Sequence, residues 1–251
     1  MIAILLCAGF GTRMYPLTQN HPKPLLEVAG RPVIDYLLDQ IMSFNEIEGI
    51  HIVVNKKFHS DFTRWKKTWQ SKIDATGIEI IIYDNGVENN STRLGAIGDL
   101  AFVLNSGNLS GRDALIAAGD NIFLFDISPF WNNFIKFRAN QIFALRATDE
   151  ERLKRSGVVV FDKDLRVTDF QEKPEKPKSE WLCPALYFLS QHGLCLLDRY
   201  LDNTDRRDAL GDFIRFLVFS TEVNANPIHD NLRFDIGSIE DYRLANEMLQ
   251  R

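Results

Sequence analysis

The fold is decided by residues 2–26, which read IAILLCAGFGTRMYPLTQNHPKPLL. Residues 2–7 form a short and almost wholly apolar run, which is typical of a strand buried on both faces of a parallel sheet. Gly9 and Gly11 follow directly, and there the backbone can turn sharply and approach a ligand without an intervening Cβ. The stretch therefore predicts a buried strand that ends in a glycine turn.

Two basic residues, Arg13 and Lys23, follow this turn. Neither lies on an amphipathic face that would explain it as a solvated helix charge. Small residues with exposed backbone N–H groups, combined with two cations after a buried strand, are typical of an anion site. We therefore expect this turn to bind phosphate.

Three other interpretations of the glycine turn compete with a phosphate site. A plain strand–turn–helix connection with incidental charges is one alternative, and the residues leave it open. A dinucleotide-binding fold needs Gly-x-Gly-x-x-Gly and a carboxylate about twenty residues further on, but Met14 replaces the third glycine and Asn55 follows the next strand. A P-loop needs a Gly-Lys-Ser/Thr ending. Both of these named motifs fail on the residues present.

Length and composition indicate an ordinary globular protein. A chain of 251 residues can bury one large core, and its net charge of −5 argues against nucleic acid as a partner, because duplex binding usually leaves a basic footprint. The N-terminal apolar run is too short for a membrane span and no basic segment precedes it, so we expect neither a signal peptide nor a membrane protein. Three scattered cysteines without Cys-x-x-Cys spacing indicate reduced thiols and a cytoplasmic location.

Strand and helix patterns alternate along the chain, which predicts an α/β fold with a doubly wound, mostly parallel mixed sheet of Rossmann-like type. Strands are predicted at 2–7, 51–54, 78–83, 114–119, 141–147, 156–161, 167–171, 181–189 and 226–229. Helices are predicted at 32–43, 58–69, from the loop after residue 95 to 104, from 128 onward, and at 191–201, 210–219 and 238–249.

Asp120 and Asn121 directly follow the buried strand at 114–119. An aspartate at the carboxyl end of a central strand lies where α/β sheets bind ligands, and its oxygens suit magnesium that carries phosphates. The alternative is a helix N-cap. Because the next helix starts more naturally at Asp126 or Ser128, with Ser128 the better cap, Asp120 is free to bind a metal ion.

Two further stretches carry candidate binding residues. Residues 84–93 form a polar loop that ends in Arg93 and leads into Leu94 and Gly95, where backbone can approach a flat ligand; a simple helix start is the alternative. Glu172 and Lys173 end the strand at 167–171, and from the residues alone a solvated strand end explains them equally well.

Several of these motifs together resemble the signature of the sugar-phosphate nucleotidyltransferases, which include the glucose-1-phosphate thymidylyl- and uridylyltransferases. The resemblance rests on residues 9–13 (GFGTR), 16–18 (PLT), 22–26 (PKPLL) and 118–121 (AGDN). It covers the chain from Met1 to about its end, which implies one catalytic domain over residues 1–251 and leaves no extension for an acyltransferase-type domain.

The resemblance also implies roles for particular residues. Arg13 and Lys23 would be catalytic, the first on the triphosphate and pyrophosphate and the second on the α-phosphate and incoming phosphate. Asp120 and Asp235 would hold Mg²⁺. The other implied contacts are with the nucleotide, through Ala8, Gly9, Gly11, Thr12, Arg93, Leu94 and Gly95, and with the sugar phosphate, through Gly157, Glu172 and Lys173.

The implied reaction joins an NTP and a sugar 1-phosphate to give an NDP-sugar and pyrophosphate. A related enzyme that uses a non-sugar phosphate such as phosphocholine is an alternative, and so is a silent nucleotide-binding regulatory module. Such modules usually lose the cations or metal carboxylates, whereas Arg13, Lys23, Asp120 and Asp235 are all present. A GT-A glycosyltransferase would want Asp-x-Asp, which residues 120–122 do not supply. Base, sugar and oligomeric state stay open, with a homo-oligomer as one alternative.

Overall fold

The structure is a computed structural model, and it describes residues 1–228 and 233–250. In chain order the strands are β1 (Ile2–Leu6), β2 (Glu27–Val28), β3 (Arg31–Pro32), β4 (Gly49–Val54), β5 (Glu79–Asp84), β6 (Ala114–Ala118), β7 (Asn121–Phe123), β8 (Asn140–Arg146), β9 (Gly157–Phe161), β10 (Val167–Glu172), β11 (Trp181–Cys183), β12 (Leu186–Leu189), β13 (Val223–Ile228) and β14 (Arg233–Asp235). The α-helices are α1 (Val33–Ile41), α2 (His59–Lys66), α3 (Gln70–Thr76), α4 (Ala96–Ser106), α5 (Ser128–Phe137), α6 (Glu150–Lys154), α7 (Gln191–Asp202), α8 (Leu210–Ser220) and α9 (Ile239–Leu249).

The chain forms two compact units. The first comprises Met1–Arg93, Ala118–Ser128 and Leu232–Arg251, and the second comprises Leu94–Ala117 and Pro129–Asn231. Single-turn 3₁₀ segments at Thr12–Met14 and Lys23–Leu25 belong to the first unit. The described part of the chain has no helix long and apolar enough to cross a membrane.

The first unit contains the predicted parallel strands. β4 lies between β1 and β5, and both pairings are parallel, with Ile4 opposite His51 and His51 opposite Ile81. β1 and β4 are buried almost throughout, as their continuous apolar runs require. Two small antiparallel pairs, β2 with β3 and β7 with β14, complete the strands of this unit.

A hydrophobic cluster anchors the smaller strands of the first unit. Ile122 of β7 and Ile236, which follows β14, are both fully buried in it, and Phe234 of β14 packs against it. Because alternate residues of a strand point to opposite sides, these apolar contacts turn Asn121, Arg233 and Asp235 toward the other face. The core therefore fixes where the polar residues of β7 and β14 point.

The second unit is built on a mixed set of strands. Their order is β10-β9-β11-β8-β12-β6 with antiparallel neighbours, and β13 adds to β8 in parallel. Its core includes edge-to-face ring contacts of Phe188 with Trp131 and Phe143. Helix α8 packs on β10, which brings the first turn of α8 to the end of that strand.

The predicted elements differ from the structure in a few places. The helix expected at 58–69 is α2 with a 3₁₀ turn at each end, and α3 follows it. The strand expected at 181–189 is interrupted after Cys183. Ser128 is predicted to cap the following helix, but in the structure the Asp126 carboxylate accepts the Ser128 N–H at 2.9 Å. Of the strand predicted at 226–229, His229 lies outside the described residues.

Candidate active site

The glycine turn after β1 is held in a defined conformation. Gly11 has φ +63°, a left-handed geometry that favours glycine, and its carbonyl accepts the Thr18 hydroxyl at 2.7 Å. The carbonyl of Ala8 accepts the amide of the buried Asn55 at 3.0 Å. A Cβ placed on Gly9 would meet nothing within 4 Å, so the space in front of the turn is open on the protein side.

The two predicted cations of the turn have different surroundings. Arg13, like its neighbour Thr12, is exposed, and within residues 1–228 and 233–250 it has no ion-pair partner. The Lys23 side chain is mostly buried, and its ammonium forms an ion pair with the carboxylate of Asp120. Arg13 is therefore available to an incoming anion, whereas Lys23 is already held against a carboxylate.

Asp120 accepts contacts from two neighbours. Lys23 pairs with its Oδ2, and the Asn121 side-chain amide donates to its Oδ1 at 2.8 Å. Burial alone would raise the pKa of Asp120, but the adjacent Lys23 ammonium and the nearby Arg233 guanidinium keep it below its ordinary value. The neighbouring cations thus favour the ionised form of Asp120, whose side chain is partly buried.

The pairing of β7 with β14 brings the second predicted metal ligand to the same place. Asp235 lies directly opposite Asn121, and the Ile236 N–H donates to the Asp120 carbonyl at 3.1 Å. Arg233 donates from Nε to the Asn121 side chain at 2.6 Å and from Nη2 to Asp235 at 2.9 Å. The structure therefore brings Asp120 and Asp235 together, although they are distant in sequence.

The residues present fit a magnesium ion held jointly with substrate. Two carboxylates supply hard oxygen ligands, and the Asp235 side chain stays half-exposed. The described residues contain no group of three or more His, Cys, Asp or Glu side chains placed to hold a metal ion. Mg²⁺ is often bound through only one or two carboxylates plus substrate phosphates and water, so two ligands are sufficient.

Gly119 lies where three segments of the first unit meet. A Cβ on Gly119 would lie 2.4 Å from the Cys7 sulfur and 3.5 Å from Pro24, and its N–H donates to Leu6 at 3.1 Å. The end of β1, the segment that carries Lys23 and the approach to Asp120 therefore touch one another directly. The sequence pattern gave no signal for this contact, nor for the roles of Asn55 and Arg233.

The residues predicted to contact the nucleotide base, Arg93, Leu94 and Gly95, belong to two different units. In the first unit, the Arg93 guanidinium lies 3.4 Å from the Asn90 carbonyl. In the second, Gly95 has φ +79°, and a Cβ there would lie 2.3 Å from the Arg207 carbonyl oxygen. The Ile97 N–H donates to that carbonyl at 2.9 Å. The close approach of the Arg207 backbone already explains why residue 95 is glycine. Contact of Gly95 and Leu94 with a base therefore stays a prediction.

The predicted sugar-phosphate residues lie together in the second unit. Gly157 pairs with Glu172 across β9 and β10, and a Cβ on it would lie 2.6 Å from the Phe170 ring, so packing also requires glycine there. Glu172 lies against Gly211 in the first turn of α8. Burial raises the pKa of Glu172, and the Asp212 carboxylate raises it further, against the opposing effect of Lys173. Lys173 is exposed, 3.6 Å from Glu172.

A cleft of about 520 Å³ opens beside Glu172 in the second unit. Its lining includes Asp169, Gln171 and Arg215, so it offers both charged and hydrogen-bonding groups. Lys178 closes one side through its ion pair with Asp169. Such a lining suits a polar ligand rather than an apolar one.

Comparison with known protein families identifies the family of this chain. A family model described as nucleotidyl transferase matches residues 2–251. The chain belongs to the nucleotidyl transferase family. The match includes the glycine turn, Lys23, Asp120 and Asp235, all of which the structure places in the first unit. The predicted family is thus confirmed.

Two curated relatives illustrate the range of this family. The bifunctional protein GlmU of Methanocaldococcus jannaschii is 25% identical over 255 residues, which are 99% of this chain and 54% of that protein. The UTP–glucose-1-phosphate uridylyltransferase AglF of Haloferax volcanii is 27% identical over 256 residues, which are 100% of this chain and 97% of that protein. The chain therefore spans about half the length of the GlmU relatives that it matches.

A solved structure confirms the predicted fold class. A putative glucose-1-phosphate thymidylyltransferase from Bacillus anthracis, in complex with a sucrose, aligns with a TM-score of 0.80 at 20% identity. The alignment covers 100% of this chain and 96% of that one. The doubly wound, mixed α/β sheet is therefore the fold of this chain.

Proposed function

We propose that this protein transfers a nucleotidyl group from an NTP to a sugar 1-phosphate, giving an NDP-sugar and pyrophosphate. The observation that carries the proposal is the Lys23–Asp120 ion pair beside the glycine turn, with Asp235 brought alongside by the β7–β14 pairing. The names of the relatives AglF and the B. anthracis protein support a sugar 1-phosphate as acceptor.

The proposed chemistry is a direct displacement. A phosphate oxygen of the acceptor attacks the α-phosphorus of the NTP, the bond from that phosphorus to the bridging oxygen of the β-phosphate breaks, and pyrophosphate leaves with both bonding electrons. The acceptor phosphate is already mostly dianionic at neutral pH, so a general base is unnecessary. Anion repulsion and charge on the leaving pyrophosphate are the barriers, and positioned cations lower them.

The residues of the first unit supply those cations. Arg13 is exposed beside the glycine turn, where it would bind the triphosphate and later the pyrophosphate. Lys23 would exchange its contact with Asp120 for the α-phosphate and the incoming phosphate. Asp120 and Asp235 would hold a magnesium ion, which when bound neutralises charge on the triphosphate and leaving group. Without that exchange, the Lys23 ammonium would stay neutralised by Asp120.

The residues of the second unit would bind the acceptor. Glu172 lies at the cleft, where its carboxylate would accept hydrogen bonds from sugar hydroxyls, and Lys173 would bind the acceptor phosphate. We propose further that residues 1–251 act as one catalytic domain and that the protein works in the cytoplasm.

A substrate screen tests this proposal. The protein is incubated with Mg²⁺, each NTP in turn, and a panel of sugar 1-phosphates plus phosphocholine, while pyrophosphate release is followed. We expect release that requires both an NTP and a sugar 1-phosphate. Release with phosphocholine alone would favour the other acceptor class, and no release with any pair would contradict the proposal.

Matched variants connect the activity to the site. Asp120→Asn should lose about 10²–10³-fold in rate, the scale of a lost electrostatic stabiliser. Asp164→Asn changes an exposed aspartate in the turn between β9 and β10 and should leave the rate unchanged. Equal rates for the two variants would remove Asp120 from the proposed site.

A further inference from the structure

Arg233 is a buried cation that the proposed chemistry does not use. Only 7% of the residue is exposed, and its guanidinium contacts the Asn121 side chain at 2.6 Å and the Asp235 carboxylate at 2.9 Å. Burying a charge is costly unless it is paired and hydrogen-bonded. Both contacts of Arg233 are to residues at or next to the two proposed metal ligands.

These contacts form one continuous polar chain. Lys23 pairs with Asp120, Asp120 accepts from Asn121, Asn121 accepts from Arg233, and Arg233 pairs with Asp235. Asn121 is itself only 3% exposed. Each end of this chain is a residue with a proposed role in the reaction, and Arg233 is the link that reaches Asp235.

The backbone around this chain is also fixed. Asp235 lies opposite Asn121, and Arg233 lies opposite Phe123 in the same antiparallel pair. Because Arg233 and Asp235 are two residues apart on a strand, their side chains share a face. Strand pairing therefore sets the distance that the guanidinium has to span.

A guanidinium suits this position better than an ammonium. Its planar fork presents several N–H donors in fixed directions, so Nε and Nη2 can serve two acceptors at once. The contact to Asp235 uses Oδ2 while the side chain remains 47% exposed, so the carboxylate is oriented without being enclosed. Groups that orient a metal ligand in this way typically change metal affinity or activity by about 10–100-fold when they are lost.

We propose that Arg233 is a positioning residue that orients Asp235 and, through Asn121, Asp120 toward a divalent ion bound with the nucleotide triphosphate. The proposal rests on the proposed function for the identity of that ligand. It assigns to Arg233 no contact with substrate. Its effect should therefore appear in metal binding, while the affinity for the acceptor stays the same.

The test measures metal binding separately from turnover. Mn²⁺ binding is followed by electron paramagnetic resonance in the presence of an NTP analogue with a non-cleavable α,β bridge. We expect Arg233→Gln to weaken Mn²⁺ binding about 10–100-fold, and Arg233→Lys to recover part of that loss because it retains the charge. Arg31→Gln is the control, since Arg31 contacts Asp39 and the Tyr36 ring instead. Thermal unfolding shows whether each variant folds. If Arg233→Gln does not fold, Mn²⁺ binding by Arg233→Lys is the test.

A double-mutant cycle separates positioning from general stability. If Arg233 acts by orienting the Asp120 and Asp235 carboxylates, the double variant Arg233→Gln/Asp235→Asn should lose less Mn²⁺ affinity than the sum of the losses in the two single variants. Additive losses, unchanged Mn²⁺ binding in folded Arg233 variants, or an equal rise in KM for the acceptor would overturn the proposal. A wild-type protein without pyrophosphate release would refute the proposed function instead, and the Mn²⁺ measurements would still test Arg233.

Discussion

Replacing Gly119 with alanine tests how closely the parts of the proposed site are packed. The backbone of Gly119 does not have a positive φ, so alanine carries no conformational penalty there. Its Cβ, however, would lie 2.4 Å from the sulfur of the buried Cys7. The cost of the substitution is therefore steric and arises at one contact.

The size of the effect follows from that contact. Non-bonded carbon atoms rest about 3.5–4.0 Å apart, so the two groups must separate by about 1 Å or more. Overpacking of this kind costs about 1–3 kcal/mol in the free energy of unfolding. A displacement of about 1 Å at Asp120 would lower the rate by about 10²-fold, because the reacting groups would no longer be aligned.

The assay combines urea unfolding with pyrophosphate release. We expect Gly119→Ala to lose both stability and rate, and the double variant Cys7→Ala/Gly119→Ala to recover most of both, because the sulfur is gone and Pro24 lies at an ordinary 3.5 Å. Cys7→Ala alone is the control. A Gly119→Ala protein with wild-type stability and rate, or a double variant no better than the single one, would refute the reasoning.

Three other expectations can be checked with single substitutions. Lys23→Met should lower the rate of pyrophosphate release by about 10²–10³-fold, because a charge-stabilising cation is removed; a rate within threefold of wild type, roughly 0.65 kcal/mol, would exclude that role. Gly95→Ala should lower the free energy of unfolding in urea more than Gly86→Ala does. Both glycines have positive φ, but of the two only Gly95 faces backbone, and a Cβ there would lie 2.3 Å from the Arg207 carbonyl oxygen. Equal losses of stability would show that the loop relaxes. Burial lowers the pKa of His51 to about 4 in the folded protein. Between pH 6.5 and 4 the histidine is therefore protonated in the unfolded state but neutral in the folded state. The free energy of unfolding should fall by about 3 kcal/mol as the pH drops through that window. His51→Gln should flatten that dependence in unfolding measured at several pH values, and an unchanged slope would contradict it.

The larger elements of the fold could be predicted because each carries a clear pattern. β1 is an unbroken apolar run and α1 has apolar residues at helical spacing, and the structure has both within two residues of the predicted bounds. β7 and β14 were missed because each has three residues, which is too short for a period to show. Their pairing is nonetheless what brings Asp120 and Asp235 together.

Contacts between residues far apart in the sequence are the part of the site that could not be predicted. Arg233 and Asn121 are 112 residues apart, and no periodicity in either stretch indicates that they meet. The predicted roles of Gly95 and Gly157 show a related limit, since a glycine is needed equally for a ligand and for a close approach of the chain. In this protein the Arg207 carbonyl packs against Gly95 and the Phe170 ring packs against Gly157, so contacts within the chain already account for both glycines.

Following the α-phosphate of the nucleotide tests the central claim most directly. With the NTP and sugar 1-phosphate that give pyrophosphate release, the substrate is labelled with ³²P at the α position and, separately, at the γ position. We predict that the α label appears in a phosphatase-resistant NDP-sugar and the γ label in pyrophosphate. An α label that ends in free nucleoside monophosphate, with or without acceptor, would contradict nucleotidyl transfer to a sugar phosphate.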